Sequence, residues 1–238
     1  MVVNSLILNS GLISILENPD QVITLDANFI IPPDRTNIGA PRGYSFSSFK
    51  KIWLDPIFLS FSALAIHEAV YDEIISSSER SFIDQCISVL PPRLIIHRDS
   101  SLTHIEQGLR NSIEEKLYPL TQYDPQLNNK KDRGEVKSLS YIATKGLLYF
   151  AANDTVAINL IEDAEKLETG LDNIFAIKMY EMIFYLSIMG VADIKNMRNL
   201  YRYQYHLTKK EKMNNPSWGN FILEMKSLYN TYIPQRLL

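Results

Sequence analysis

Residues 132–161 read DRGEVKSLSYIATKGLLYFAANDTVAINLI, and the division of this stretch decides the fold. Residues 133–145 have the spacing of a helix, and Gly146 stops it. Residues 147–152, LLYFAA, form an unbroken apolar run, the mark of a strand buried on both faces. A second helix follows over 155–168. A helix feeding a doubly buried strand, which feeds another helix, is a repeating unit of a parallel sheet with helices on both sides.

The same alternation extends outward. Residues 22–25, VITL, read as a short strand ending at Asp26. A turn-rich stretch follows, with Pro32, Pro33, Asp34, Gly39, Pro41 and Gly43. Residues 62–76, SALAIHEAVYDEIIS, read as a helix with Ser62 as N-cap. Another helix covers 79–90, stopped by Pro91–Pro92. Residues 93–97, RLIIH, read as a strand. Over 101–117, Leu102, Ile105, Leu109, Ile113 and Leu117 recur at helical spacing. Residues 118–131 are polar and read as a loop. A strand near 174–179 and a helix to Gly190 complete the alternation. The expected organisation is a domain over 1–190, with an N-terminal extension and a lengthened middle. A helical C-terminal extension covers 191–238.

Composition narrows the functions. The chain has 238 residues, 46% of them hydrophobic, enough for a sizeable core. A single cysteine, Cys86, excludes an internal disulfide and any multi-cysteine zinc site, and points to a reducing compartment. The nine glycines form neither a dinucleotide-binding fingerprint nor a P-loop. Residues 174–192, IFAIKMYEMIFYLSIMGVA, carry Lys178 and Glu181, so a buried strand plus helix is expected rather than a membrane span. No basic residue precedes the apolar stretch LILNSGLISIL, so no signal peptide is expected, and the expected location is cytoplasmic.

The chemistry lies in the placement of acids. Ligands of an open parallel sheet bind beyond the carboxyl ends of its strands. Asp26 directly follows the first strand, and Asp154 follows strand 147–152. A crossover helix runs antiparallel to the strand it feeds, so Asp132 and Glu135 point to the same edge. Glu68 is expected in a helix feeding strand 93–97, where it interrupts the apolar line of Leu64 and Ile75. Each acid also has a plain explanation: an Asx-turn at Asp26, a capping box from Asp132 to Glu135, an N-cap at Asp154, a cationic partner for Glu68. Together, acids at one edge repel one another, and ionising them all calls for a cation. An all-oxygen ligand set selects Mg²⁺ or Mn²⁺ over zinc.

The segments VITLDANFI (22–30), LAIHEAVYDEI (64–74), DRGEVKSLSYIATKG (132–146) and LLYFAANDTVAINLI (147–161) together resemble the PIN-domain family, over roughly residues 22–190. That pattern is an Asp-x-Asn after the first strand, a helical Glu, a D-x-G-E opening a helix, and an N-D after the next strand. The resemblance implies a three-layer α/β/α fold with a central, mainly parallel sheet. It also implies a Mg²⁺- or Mn²⁺-dependent endoribonuclease that hydrolyses RNA by metal-activated water. Carried over by position, Asp26, Glu68, Glu135 and Asp154 become the catalytic metal ligands. Asp132 is a further ligand, and Asn28 supports the site from behind. Many members are toxins neutralised by an antitoxin, so a toxin–antitoxin or phage-defence role, an antitoxin partner and a homodimer are expectations. Ala152 stands where the family often has Thr or Ser. The alternative expectation is an inactive module that binds RNA or protein, with a phosphatase as a third.

Charge is unevenly distributed. Within 195–238, eight basic residues face only Glu211 and Glu224, a charge of +6, which leaves −9 of the total −3 to the rest of the chain. Tyr201, Tyr203 and Tyr205 interleave with Arg198, Arg202 and Lys209, a pattern suited to unpaired RNA. Lys130, Lys131 and Arg133, beside Glu135, are equally placed for phosphate contact. The four histidines show no metal spacing, and His67, His97, His104 and His206 are expected to be structural.

Overall fold

A computed structural model describes residues 2–234. The strands are β1 (Ile23–Leu25), β2 (Leu64–His67), β3 (Ile95–His97), β4 (Tyr149–Ala152) and β5 (Phe175–Lys178). The helices up to β3 are α1 (Ser10–Glu17), α2 (Ala27–Ile30), α3 (Phe46–Phe49), α4 (Asp55–Ser60), α5 (Glu68–Glu73) and α6 (Ser77–Ser88). Then come α7 (His104–Leu117), α8 (Arg133–Thr144), α9 (Thr155–Glu162) and α10 (Ala164–Leu167). The last four are α11 (Met179–Ile188), α12 (Ile194–Tyr205), α13 (Lys209–Asn214) and α14 (Trp218–Tyr229).

The fold is α/β, with one all-parallel five-stranded sheet in the order β3-β2-β1-β4-β5, in keeping with the α/β/α sandwich class. The register sets Ile23 against Leu64 and Tyr149, and Ala65 against Ile95. Every residue of β1, β2 and β4 is buried, so these strands are covered on both faces. The connection after β1 leads to β2 on one side, and the connection after β4 leads to β5 on the other. The β1/β4 edge is therefore the point where such sheets open a crevice.

One element differs from the sequence reading. Residues 62–76 do not form a single helix: Leu64–His67 is strand β2, and helix begins at Glu68. The run Leu64-Ala65-Ile66 is apolar throughout, and periodicity alone does not separate a buried strand from a buried helix turn. Pairing with β1 and β3 settles it as a central strand. The 174–192 stretch is strand β5 followed by α11, and among the described residues no helix is long and apolar enough to cross a membrane.

The chain forms two compact units, and neither ends at residue 190. One unit comprises residues 22–31 and 63–177 and contains the sheet up to Ile177. Its core includes Val136, Leu139, Ile142, Phe150, Ile158 and Leu171. The other gathers, among the described residues, 2–21, 32–62 and 178–234. The C-terminal helices are thus part of a core shared with the N-terminus rather than an appendage. Tyr201 stacks on Phe221 at 4.5 Å, and Phe184 lies 5.9 Å from Tyr229. The Tyr229 hydroxyl accepts from the Asn9 amide at 2.7 Å, and Glu181, 2% exposed, accepts from the Asn9 side chain at 2.9 Å.

In the same unit, Tyr203 clamps the turn-rich segment. Its hydroxyl donates to the Pro41 carbonyl at 3.2 Å and accepts from the Gly43 amide at 3.2 Å. A Cβ on Gly43 would stand 2.6 Å from that ring. Gly43→Ala is therefore expected to cost about 1–3 kcal/mol of stability, through overpacking, in a urea titration.

Candidate active site

Asp26 sits immediately beyond β1, its amide still bonded to the Ala151 carbonyl of β4 at 2.9 Å. The side chain is 1% exposed. One carboxylate oxygen, Oδ2, accepts from the Asn28 amide, and Oδ1 has no hydrogen-bond partner. Asn28 also accepts from the Asn153 amide at 2.8 Å, so it ties the end of β1 to the end of β4. Asp154, two residues beyond β4, caps α9 by accepting from the Val156 amide at 2.7 Å.

Helix α8 brings in the next acids. It runs towards β4, so its N-terminus lies at the edge where β4 ends. Asp132 precedes it in the left-handed region (φ 56°) and accepts from the Gln122 amide at 2.9 Å, which anchors the 118–131 loop. The expected capping box does not form, because Asp132 makes no side-chain cap bond. The first turn of α8 instead receives Glu73 from α5: the Gly134 amide donates to its Oε1 at 2.9 Å. A Cβ on Gly134 would meet that oxygen at 2.8 Å, so glycine leaves room for the carboxylate.

The electrostatics follow. Burial raises the Asp26 pKa well above the ordinary value and the charges of Glu135 and Glu73 raise it further, outweighing the backbone amides of Ala27 and Asn28. Burial pushes Glu135 up to about 7, with Glu73, Asp154 and Asp132 adding repulsion. Glu73 is raised chiefly by burial, against the Gly134 amide and the charges of Arg133 and Lys130. Asp26, Glu73, Asp132, Glu135 and Asp154 therefore form one electrostatic group at the β1/β4 edge.

Glu68 is engaged elsewhere. As the first residue of α5, it accepts from the Asp99 amide at 2.9 Å, and it lies 4.0 Å from Arg98. With its neighbour His67 and with Asp99 it forms the one trio among the described residues whose ligand atoms all lie within 4.8 Å. The imidazole argues against a metal there. His67 Nδ1 accepts from the Ala69 amide at 3.1 Å, so in the neutral ring Nε2 carries the proton, facing Asp99 Oδ1 at 3.2 Å. Asp99 is further held by Arg110 at 3.0 Å. Burial raises the Asp99 pKa, but the His67 hydrogen bond and Arg110 outweigh it and hold it below the ordinary value. These partners make the trio a paired structural cluster. His97 stacks on Tyr141 at 4.8 Å, and its imidazole is lowered to about 4 by burial and then by His67.

Glu73 is thus the acid the sequence reading missed. Its signal was the end of β2: with a strand over 64–67, the helical acid near the crevice is the one five residues further on. The loop bases are close to the group. Arg133 lies 3.5 Å from Asp72, Lys131 lies 3.6 Å from Asp132, and Lys130 acts on Glu73. In the other unit, Tyr201 and Tyr205 are no more than 1% exposed and Tyr203 is 9% exposed. They are core residues and do not present rings to RNA. Arg198, Arg202 and Lys209 are exposed.

The donors are of the type a hard divalent cation takes, although among the described residues no three of these carboxylates bring ligand atoms within 4.8 Å of one another. They are carboxylate oxygens, one of them buried without a hydrogen bond, and their repulsion is what a cation would relieve. Comparison of the chain with known protein families, curated sequences and solved structures gives no significant match.

Proposed function

We propose that the protein is a metal-dependent endoribonuclease acting at the β1/β4 edge. The observation that carries this reading is the unpartnered Asp26 Oδ1, buried among carboxylates at the crevice of a parallel sheet. Asp26, Glu73, Glu135 and Asp154 would hold Mg²⁺ or Mn²⁺, with Asp132 beside them. When bound, the cation supplies a water of lowered pKa and stabilises charge on a cleaved phosphodiester. Asn28 holds the Asp26 carboxylate in place. Lys130, Lys131 and Arg133 supply positive charge for an incoming RNA backbone. The cytoplasm is the proposed compartment. A role as a toxin held by an antitoxin belongs to the same proposal, as does assembly into a homodimer.

The test is cleavage of a single-stranded RNA in Mn²⁺ by wild type and by Asp26→Asn, Glu73→Gln and Glu135→Gln. Loss of a hundredfold or more in each is expected, since even partners behind metal ligands are typically worth about 10- to 100-fold. Wild-type rates in the variants would sink the assignment. Glu68→Gln is expected to retain most activity, because its carboxylate is held by the Asp99 amide.

A further inference from the structure

Arg198 and Arg202 lie four residues apart on one face of α12, and His206 caps the helix's C-terminal end. Together with Lys212 of α13 and Trp218, the first residue of α14, they line an open groove of about 530 Å³. A smaller cavity of about 270 Å³ shares Arg202, His206 and Lys212. Among the described residues, no acid lines either cavity.

The nearby acids are already committed. Glu211 pairs with Arg35 and accepts from the amides of Leu207 and Thr208 at 3.0 and 2.9 Å. Asp193 caps α12 through the Asn196 amide at 2.8 Å, and Glu224 accepts from Ser5. Arg198, Arg202 and Lys212 are left facing the groove without an acidic partner among the described residues. Burial lowers the His206 imidazole, and Lys212 and Arg202 lower it further against the opposing charge of Glu211. Like charges at this spacing repel, and an anion relieves them.

The aromatic of this groove is Trp218. One side of its ring packs on Tyr201 and Phe221 at 5.6 and 5.8 Å, while the residue remains half-buried. The groove is roomier than a phosphate ion needs and has the size of a small-molecule site.

We infer that this groove binds a phosphomonoester carrying a nucleobase, the phosphate among Arg198, Arg202 and Lys212 and the base against Trp218. Two sources share that chemistry: a free nucleoside monophosphate, and the phosphorylated end of a single RNA strand. The inference needs no metal and holds whether or not the carboxylates catalyse.

The experiment is a tryptophan fluorescence titration of the full chain in EDTA, where metal-dependent cleavage is silent. Trp53 is fully buried, so a change reports Trp218. The probes are adenosine, adenosine monophosphate, and a short oligoadenylate with and without a 5′-phosphate. Saturable change with a phosphorylated probe is expected. Arg202→Gln and Lys212→Gln should each weaken it about tenfold, the loss of one charge-assisted contact. Both side chains are exposed, so both variants should keep the wild-type circular dichroism. Response to the mononucleotide identifies a free ligand; response to the phosphorylated strand alone identifies an RNA end. No saturable response to either phosphorylated probe would overturn the inference. So would equal response to the unphosphorylated partners, or binding unchanged in both variants.

Discussion

Replacing Glu135 by glutamine is expected to stabilise the metal-free protein above neutral pH while removing the proposed RNA cleavage. Glu135 titrates near 7 in the folded chain, against an ordinary value of 4.5. Between those values the folded state holds a proton that the unfolded state has released. Stability therefore falls as pH rises from the lower value, and the loss is complete above the higher one. The shift corresponds to about 3 kcal/mol. Near pH 8 the glutamine variant should exceed wild type by about that amount in a denaturant titration, and near pH 4 the two should match. Asp26→Asn should act in the same direction, because burial and the charge of Glu135 raise its carboxyl too. Manganese should reverse the order. A cation that binds only the folded state adds about 4.1 kcal/mol at a thousand times its Kd, and the variants should gain much less than wild type. Equal stabilisation of wild type and both variants by Mn²⁺ would show that these carboxylates hold no cation.

How much of the candidate site is legible in the sequence depends on where the strands end. Asp26, Asn28, Glu135 and Asp154 could be placed because each directly follows a strand or opens a helix, and strand ends in a parallel sheet share an edge. LLYFAA declares a doubly buried strand by its length of apolar sequence. Glu73 could not be placed, because its position depends on where β2 stops. In LAIHEAVYDEI, Leu64 and Glu68 fall four apart by accident and imitate a helix. Pairing with β1 and β3, a long-range property, decides otherwise. The tyrosines of α12 misled in another way. Tyr201 and Tyr205 share a face and enter an aromatic core, and Tyr203, on another face, is held by Gly43 and Pro41. Alternation in sequence says which residues are neighbours on the chain, but not which helix face is covered.

That aromatic core leads to the second large effect. Phe221 is fully buried and sits 4.5 Å from Tyr201, 5.8 Å from Trp218, 6.3 Å from Tyr180 and 6.5 Å from Phe184. Phe221→Ala removes the ring that all four share. Truncating a buried phenylalanine costs about 3–5 kcal/mol. Set against a total of roughly 5–15 kcal/mol, that is a large part of the stability of an ordinary domain. Ending the chain at residue 190 is expected to do worse. It strips Tyr205, Phe221 and Tyr229 from Tyr180 and Phe184, and it removes the Tyr229 hydroxyl that holds Asn9. Glu181 would keep the Asn9 side chain and the Lys178 amide as donors but lose its neighbours Tyr205 and Tyr229. The truncated chain should lose its near-ultraviolet circular dichroism and bind ANS, while the far-ultraviolet signal of its remaining helices persists in part. A catalytic domain with a dispensable basic tail would behave oppositely, unfolding cooperatively at the wild-type midpoint after the cut. The two outcomes separate a tail from a core element, and the packing of Phe221 predicts the second.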